Sequence, residues 1–398
     1  MKKILLILSV CLLIFVFLAC NISVVNKGDV NQTDEPSSSQ SLDITTVVYE
    51  ESDNAEIPEE SKKVPETIQE VIPETEPPEN SITEIVLDIP TVIHDSIVSS
   101  MTNYPNLQTL KVDNIVFTPE EYIAVCQMNP EVDFFAKVEF ENITFDLSQK
   151  EIDISKKKIK DKEAFSALVE QFPKGTKLVM CDCNYTNEEM ASLREKYSHI
   201  DFAWRIYMGK WNLRTDDEAF SVMIHEYDHK PMRSKEIEVL KYCTNMVALD
   251  LGHQAITDLT VIGQMTDLKV LILADNWITD LTPLSNLKNL EYLELFVNNI
   301  SDLSPLAECT KLVDLNFGWN KVSDFSCIYS LENIERLWLP NTPLPVAKRD
   351  EVIENFPNAK IVFSDVNSVS SGWRTHERYF SMRGMFKNNK YDPDFIKK

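Results

Sequence analysis

Glycine is scarce in this chain, with 8 residues in 398. That argues against glycine-rich nucleotide-binding loops, in which the backbone must approach a phosphate closely. Positive charge is also short: 39 Lys and Arg stand against 63 Asp and Glu, for a formal net charge of -24 at pH 7. So acidic a surface repels phosphates and excludes nucleic acid as a partner. The cysteines lack a disulfide framework. Cys126, Cys181, Cys183, Cys243, Cys309 and Cys327 follow no regular spacing. Cys181 and Cys183 form the one cluster; on a strand both thiols would share a face, but a lone C-x-C is a weak zinc signal. No Ser-His-Asp arrangement, phosphate loop or cofactor box is visible, so neither an enzyme nor a cofactor is expected. What remains is an ordinary apolar content of 43%, in a chain long enough for two or three domains.

The start of the chain predicts its location. Lys2 and Lys3 precede an uncharged apolar run from Ile4 to Ala19, a little short for a membrane span and suited to a signal peptide. The run ends "FLAC", with Ala19 before Cys20. This resembles a bacterial lipobox, whose cysteine is lipidated and becomes the mature N-terminus; Phe17 and Leu18 depart from the usual residues. The resemblance implies a membrane anchor at Cys20, with an uncleaved anchor or a secreted protein as alternatives, and in each case a body outside the cytoplasm. Residues 21–84 carry "DEPSSSQ", "EIPEESKKVPE" and "PETEPPEN" and hold about half of the net negative charge. Such a segment buries too little apolar surface to offset its ordering entropy, which predicts a disordered, self-repelling stalk.

From Met246 the sequence repeats every 22 residues. "LKVLILADNWITDLTPLSNLKN", "LEYLELFVNNISDLSPLAECTK" and "LVDLNFGWNKVSDFSCIYSLEN" follow one another from Leu268 without gaps. The fourth position is Leu249, Leu271, Leu293, Leu315 and Leu337, and the ninth is Gln254, Asn276, Asn298 and Asn320. Positions four and six flank one outward residue, so a short strand turns both inward. The ninth-position amide can pair turn backbone that would otherwise be buried and unsatisfied. No coil covers its own apolar face; stacked coils cover one another in a solenoid with a parallel sheet on its concave side. The phase extends backward through Ile237, Leu240 and Cys243, which predicts that Ile224–Asn245 is a first coil.

That coil contains "HEYDH", residues His225 to His229, which matches the H-E-x-x-H string of zinc metalloproteases. Zincin chemistry needs both histidines one turn apart on a helix. In the strand half of a coil they would stand roughly 13 Å apart at ~3.3 Å per residue. Pro231 would interrupt the helix, and no third ligand lies at zincin spacing. The expectation is a coincidence inside a repeat and no metal, with a zinc-dependent hydrolase as the rival function.

Residues 85–223 hold a longer duplication. The segment from Tyr104 aligns without gaps on that from Phe172, pairing Thr118 with Thr186 and two glutamates after each. Both threonines are predicted helix N-caps, with the glutamates complementing the helix dipole. This α/β array leads into the repeats of 224–345. A cap and basic-aromatic tail, 346–398, close the chain; Trp373, Tyr379, Met382 and Phe386 could pack on the cap, or the tail could meet an anionic surface.

The 22-residue coils resemble internalin-type leucine-rich repeat proteins of bacteria, and the whole chain resembles leucine-rich repeat lipoproteins of Gram-positive bacteria. The resemblance implies an α/β solenoid that binds a protein or cell-surface ligand through its concave face. The phase places Tyr292, Phe296, Trp319 and Trp338 as exposed aromatics on that face, ringed by Asp250, Glu294 and Asp314, with Arg336 beside them. Aromatic anchors in a polar rim are how interfaces concentrate binding energy. The alternatives are that these aromatics pack against the tail or the N-terminal array, or that the protein is purely structural in the cell envelope.

Overall fold

The computed structural model describes residues 84–88, 97, 100, 102–222, 230–364 and 372–398. Cys20, the apolar run before it, nearly all of the stalk and the HEYDH string lie outside the described residues.

The N-terminal array is two small sheets with helices as crossovers. β1 (Glu84–Asp88), β2 (Thr109–Phe117), β3 (Asp133–Phe140) and β4 (Ile143–Asp146) pair in that order, the first three parallel and the last antiparallel. β5 (Glu151–Asp153), β6 (Lys177–Val179) and β7 (Asp201–Ala203) form a parallel trio. α1 (Pro119–Met128) links β2 to β3, α2 (Lys162–Val169) links β5 to β6, and α3 (Asn187–Lys196) links β6 to β7. α1 and α3 begin alike. The Thr118 hydroxyl accepts from the Glu121 N–H while Glu121 accepts from the Thr118 N–H, and Thr186 and Glu189 do the same. The second glutamate of each pair thus closes a capping box. Cys181 and Cys183 lie past β6 rather than on a strand. Asp182 between them has φ 60, both thiols are buried, and Cys183 donates to the Ile154 carbonyl at 3.0 Å. Burial pushes the Cys183 thiol up to about 11.

After a hairpin of β8 (Arg205–Met208) and β9 (Trp211–Arg214), seven parallel strands run to the end of the solenoid. They are β10 (Ala219–Ser221), β11 (Ala248–Asp250), β12 (Val270–Ile272), β13 (Tyr292–Glu294), β14 (Asp314–Asn316), β15 (Arg336–Trp338) and β16 (Lys360–Val362). β11 to β15 fall on positions three to five of the repeat, as the phase predicts, and pair without a register shift. The first coil departs from it. Ala219 pairs with Ala248, 29 residues on instead of 22, so the strand beside β11 is one that precedes HEYDH in the chain. The phase is correct for the returning half, where Ile237, Leu240 and Cys243 are buried; residues 223–229, where the phase places the strand half, lie outside the described residues.

The coils close by two devices. In each complete turn the ninth side chain is a buried amide. Asn276 accepts from the Ile256 N–H and donates to the Leu251 and Leu273 carbonyls; Asn298 and Asn320 repeat the pattern one and two coils later. Immediately before it, position eight turns the corner in the left-handed region: His253, Asp275, Val297, Trp319 and Asn341 all have φ between 53 and 60. Asn and Asp tolerate that conformation, whereas β-branched Val297 and bulky Trp319 are strained there. On the returning half, Pro283 and Pro305 open short 3-10 turns at Thr282–Asn286 and Ser304–Leu306, where no donor is needed. Gly263 meets the first of these so closely that a Cβ would lie 2.3 Å from the Pro283 carbonyl oxygen. α4 (Ser234–Ile237) and α5 (Arg349–Asn355) belong to the first and last returning halves, and α6 (Glu377–Asn388) to the tail.

Candidate functional site

Positions three and five of the repeat project from the concave face, where the sequence predicts exposure. The structure covers them instead. Tyr292 and Trp338 are buried, as are Glu294, Asp314, Arg336 and Asp250. Residues 372–398 lie across this face, so of the two readings of the aromatics, packing against the tail describes Tyr292 and Trp338. The tail therefore seats on the sheet floor rather than on the end of the last coil. The reason is visible in the first coils, where the outward positions are Ala248, Val270, Ile272 and Ala274. An apolar floor gains by excluding water, and Met382, Met385, Phe386 and Phe395 join it in one buried cluster. Burying each large side chain is worth about 1.5–3 kcal/mol.

Further along the sheet the contact becomes charged. The Trp373 ring lies 5.2 Å from Tyr292 and 5.1 Å from Trp338 between centroids, and its Nε1 donates to Glu294 at 3.0 Å. Arg374 donates to the other Glu294 oxygen at 2.8 Å. Arg336 grips Asp314 with Nε and Nη2 at 2.9 and 2.6 Å, and Arg378 reaches the same carboxylate at 2.9 Å while also pairing with Glu335. The Glu294 carboxylate beside Arg374 holds that guanidinium charged, and burial pushes the Tyr292 phenol well above its ordinary range. Sequence reasoning gave the sheet side of this network but not Arg374 or Arg378. The signal was two cations beside Trp373 in a basic tail, set against an acidic row at Glu294 and Asp314.

Asp250 is buried at the other end of the acidic row. It accepts from the Ser221 hydroxyl at 2.7 Å and the Gly252 N–H at 3.0 Å. Burial outweighs both bonds and raises its carboxyl above the usual range. The folded chain then holds that proton more tightly than the unfolded one, so the stabilising contribution is present below the ordinary carboxylate range and is lost as pH rises through the raised value. Asp250→Asn is expected to abolish this loss. Urea midpoints at about pH 4.5 and about pH 7.5 should show wild type declining relative to the variant; parallel midpoints would refute it.

What stays open is the rim. Phe296 is half-buried, and Trp319 is 43% exposed with its ring 6.3 Å from that of Phe296 in an edge arrangement. Trp277, two coils earlier, is 63% exposed, and sequence reading passed over it because position ten lies beyond the strand. His253 Nδ1 and Asp275 Oδ2, 2.8 Å apart, continue the position-eight column as a polar stretch. Among the described residues, no group of three or more His, Cys, Asp or Glu side chains is arranged to hold a metal ion.

A family profile for leucine-rich repeats (2 copies) matches residues 266–308. Among solved structures, the chain is similar to internalin C2 of Listeria monocytogenes, at 26% identity over 38% of this chain and 76% of that one, with a TM-score of 0.29. It is also similar to internalin F of Listeria monocytogenes, at 20% identity over 74% and 85% of the two chains, TM-score 0.34. A Leptospira interrogans leucine-rich repeat protein is 20% identical over 66% and 73%, TM-score 0.32. No curated protein matches. The profile match falls on the coils of β12 and β13, and the fold is a leucine-rich repeat solenoid with a parallel sheet.

Proposed function

We propose that this protein is a non-enzymatic binding module displayed outside the cytoplasm, anchored by a lipid on Cys20, and that a protein ligand docks on the rim formed by Phe296 and Trp319. The observation that carries the reading is Trp319 itself. It is exposed, so it contributes little to the core, and it occupies a left-handed backbone position that costs about 1–2 kcal/mol for such a residue. Asn341 occupies the equivalent corner without that cost. A large aromatic held at a strained, solvent-facing position is explained by a contact outside the chain. Tyr292, Glu294, Asp314, Arg336, Trp338 and Asp250 lie beneath the tail and are reached only when it moves.

A photo-crosslinking residue placed at 319 in the full chain on living cells tests this. A discrete protein adduct from 319, absent when the probe is at the exposed control Val346, is expected. Equal labelling from both positions, or none from 319, would overturn the proposal. Labelling with a radioactive fatty acid, lost in Cys20→Ser, tests the anchor.

A further inference from the structure

The tail crosses the sheet in two unlike halves. Beyond Met382 it is seated by apolar contact, and its Asn389 carbonyl accepts from the Glu218 and Ala219 N–H groups at the β10 edge. Before Glu377 it is seated by an indole and by charge. Trp373 fills the slot between Tyr292 and Trp338, the Arg336 guanidinium lies 4.4 Å from its ring centre, and Arg374 pairs with buried Glu294. Arg378, four residues on in the first turn of α6, pairs with buried Asp314.

The two halves differ in what they contribute. Ions taken out of water recover their desolvation cost only with full hydrogen bonding, so an apolar lid would hold at least as well as a charged one. This network is incomplete. The Nε atoms of Arg374 and Arg378 and Nδ2 of Asn316, which stands between Glu294 and Trp338, are buried with no partner among the described residues. A stable cover has no use for such chemistry. A surface that recognises a particular sequence does, because misplaced charge rejects the wrong segment.

We infer that the slot between Tyr292 and Trp338, with Glu294 and Asp314 at its sides, recognises a tryptophan followed by arginine, and that Trp373 and Arg374 fill it as an intramolecular ligand which a basic-aromatic segment of a partner protein displaces. The helix beyond Met382 stays seated during the exchange. Two carboxylates at the slot reject phosphate and anionic lipid, and the indole-sized gap with an acceptor at its side selects Trp over an aliphatic side chain.

The test uses the full chain with Trp373→Ala and Arg374→Ala together, and a fluorescent peptide of sequence SGWRTHERYFSM, residues 371–382. Anisotropy should show saturable binding to the variant and at least about tenfold weaker binding to wild type, because in wild type Trp373 and Arg374 occupy the slot and compete with the peptide. The peptide with alanine for tryptophan should not bind, and Glu294→Gln added to the variant should abolish the signal. No saturable binding to a variant that retains its circular dichroism, or binding that ignores Glu294, overturns the inference. Should the variant fail to fold, hydrogen exchange of wild type decides. Residues 373–378 should exchange about tenfold or more faster than 382–388, and faster again with peptide present. Equal protection along the tail, unmoved by peptide, overturns it.

Discussion

Asp314→Ala is expected to cost about 3–5 kcal/mol, read as a fall in the urea midpoint of the solenoid. The carboxylate is fully buried and serves two guanidiniums at once: both Arg336 contacts, at 2.9 and 2.6 Å, and the 2.9 Å contact of Arg378 end on it. Without it Arg336 keeps one hydrogen bond, to the Trp373 carbonyl at 3.3 Å, besides its place over the Trp373 ring, and Arg378 keeps Glu335, a solvent-exposed partner. The cost is that of leaving two charges unpaired out of water, and does not measure the worth of the ion pairs themselves. Two controls separate these. Lys288→Ala removes an exposed pair with Glu308 and should leave the midpoint unchanged. Replacing all three members together, as Asp314→Leu, Arg336→Met and Arg378→Met, should recover most of the loss. If the triple variant is as weak as Asp314→Ala, the network is stabilising in its own right and the argument for a displaceable contact weakens with it.

The repeat was legible because each coil solves the same local problem with the same residues. Leu249, Leu271, Leu293, Leu315 and Leu337 are fully buried, and the amides at 276, 298 and 320 hold the turns as their spacing predicts. The first coil keeps the phase at Ile237, Leu240 and Cys243, but phase alone does not find the strand that pairs with β11, which is Ala219–Ser221, 29 residues before its partner. The cover over the concave face was not legible from periodicity at all, since residues 372–398 do not repeat. Two composition signals pointed to it. Outward strand positions that face water are polar, yet Val270, Ile272 and Ala274 are not. And an acidic row at Glu294 and Asp314 faces the one chain segment that presents Trp373, Arg374 and Arg378 together. The exposed-aromatic reading failed at Tyr292 and Trp338 because facing outward from a coil is not facing solvent when another part of the chain has matching chemistry.

Asn298→Ala is expected to destabilise by about 2–3 kcal/mol and to split the unfolding transition, and both follow from the backbone groups it serves. Its Oδ1 accepts from the Ile278 N–H at 3.0 Å, and its Nδ2 donates to the Leu273 and Leu295 carbonyls at 2.9 and 3.0 Å. These groups lie in a buried corner; the Ile278 N–H is left unpaired, at about 1–3 kcal/mol before relaxation, and each carbonyl loses one of its donors. The Leu273 carbonyl is shared with Asn276 and the Leu295 carbonyl with Asn320, so the amides form a ladder in which each rung joins its own coil to the one before. In a solenoid, stability is a sum of coil and neighbour terms, and a break in the middle separates two stacks that otherwise unfold together. Gln254→Ala, at the start of the ladder, removes contacts to the Met232 N–H and the Gly252 carbonyl, so it should cost less and leave one transition. Asn298→Asp keeps the acceptor for Ile278 but loses both donors and buries a charge, so it should be no better than alanine. Hydrogen exchange at the Ile278 amide is the direct reading: protection should fall in Asn298→Ala and persist in Gln254→Ala. Unchanged protection at Ile278 in Asn298→Ala would mean that the stacked leucines alone hold the corner.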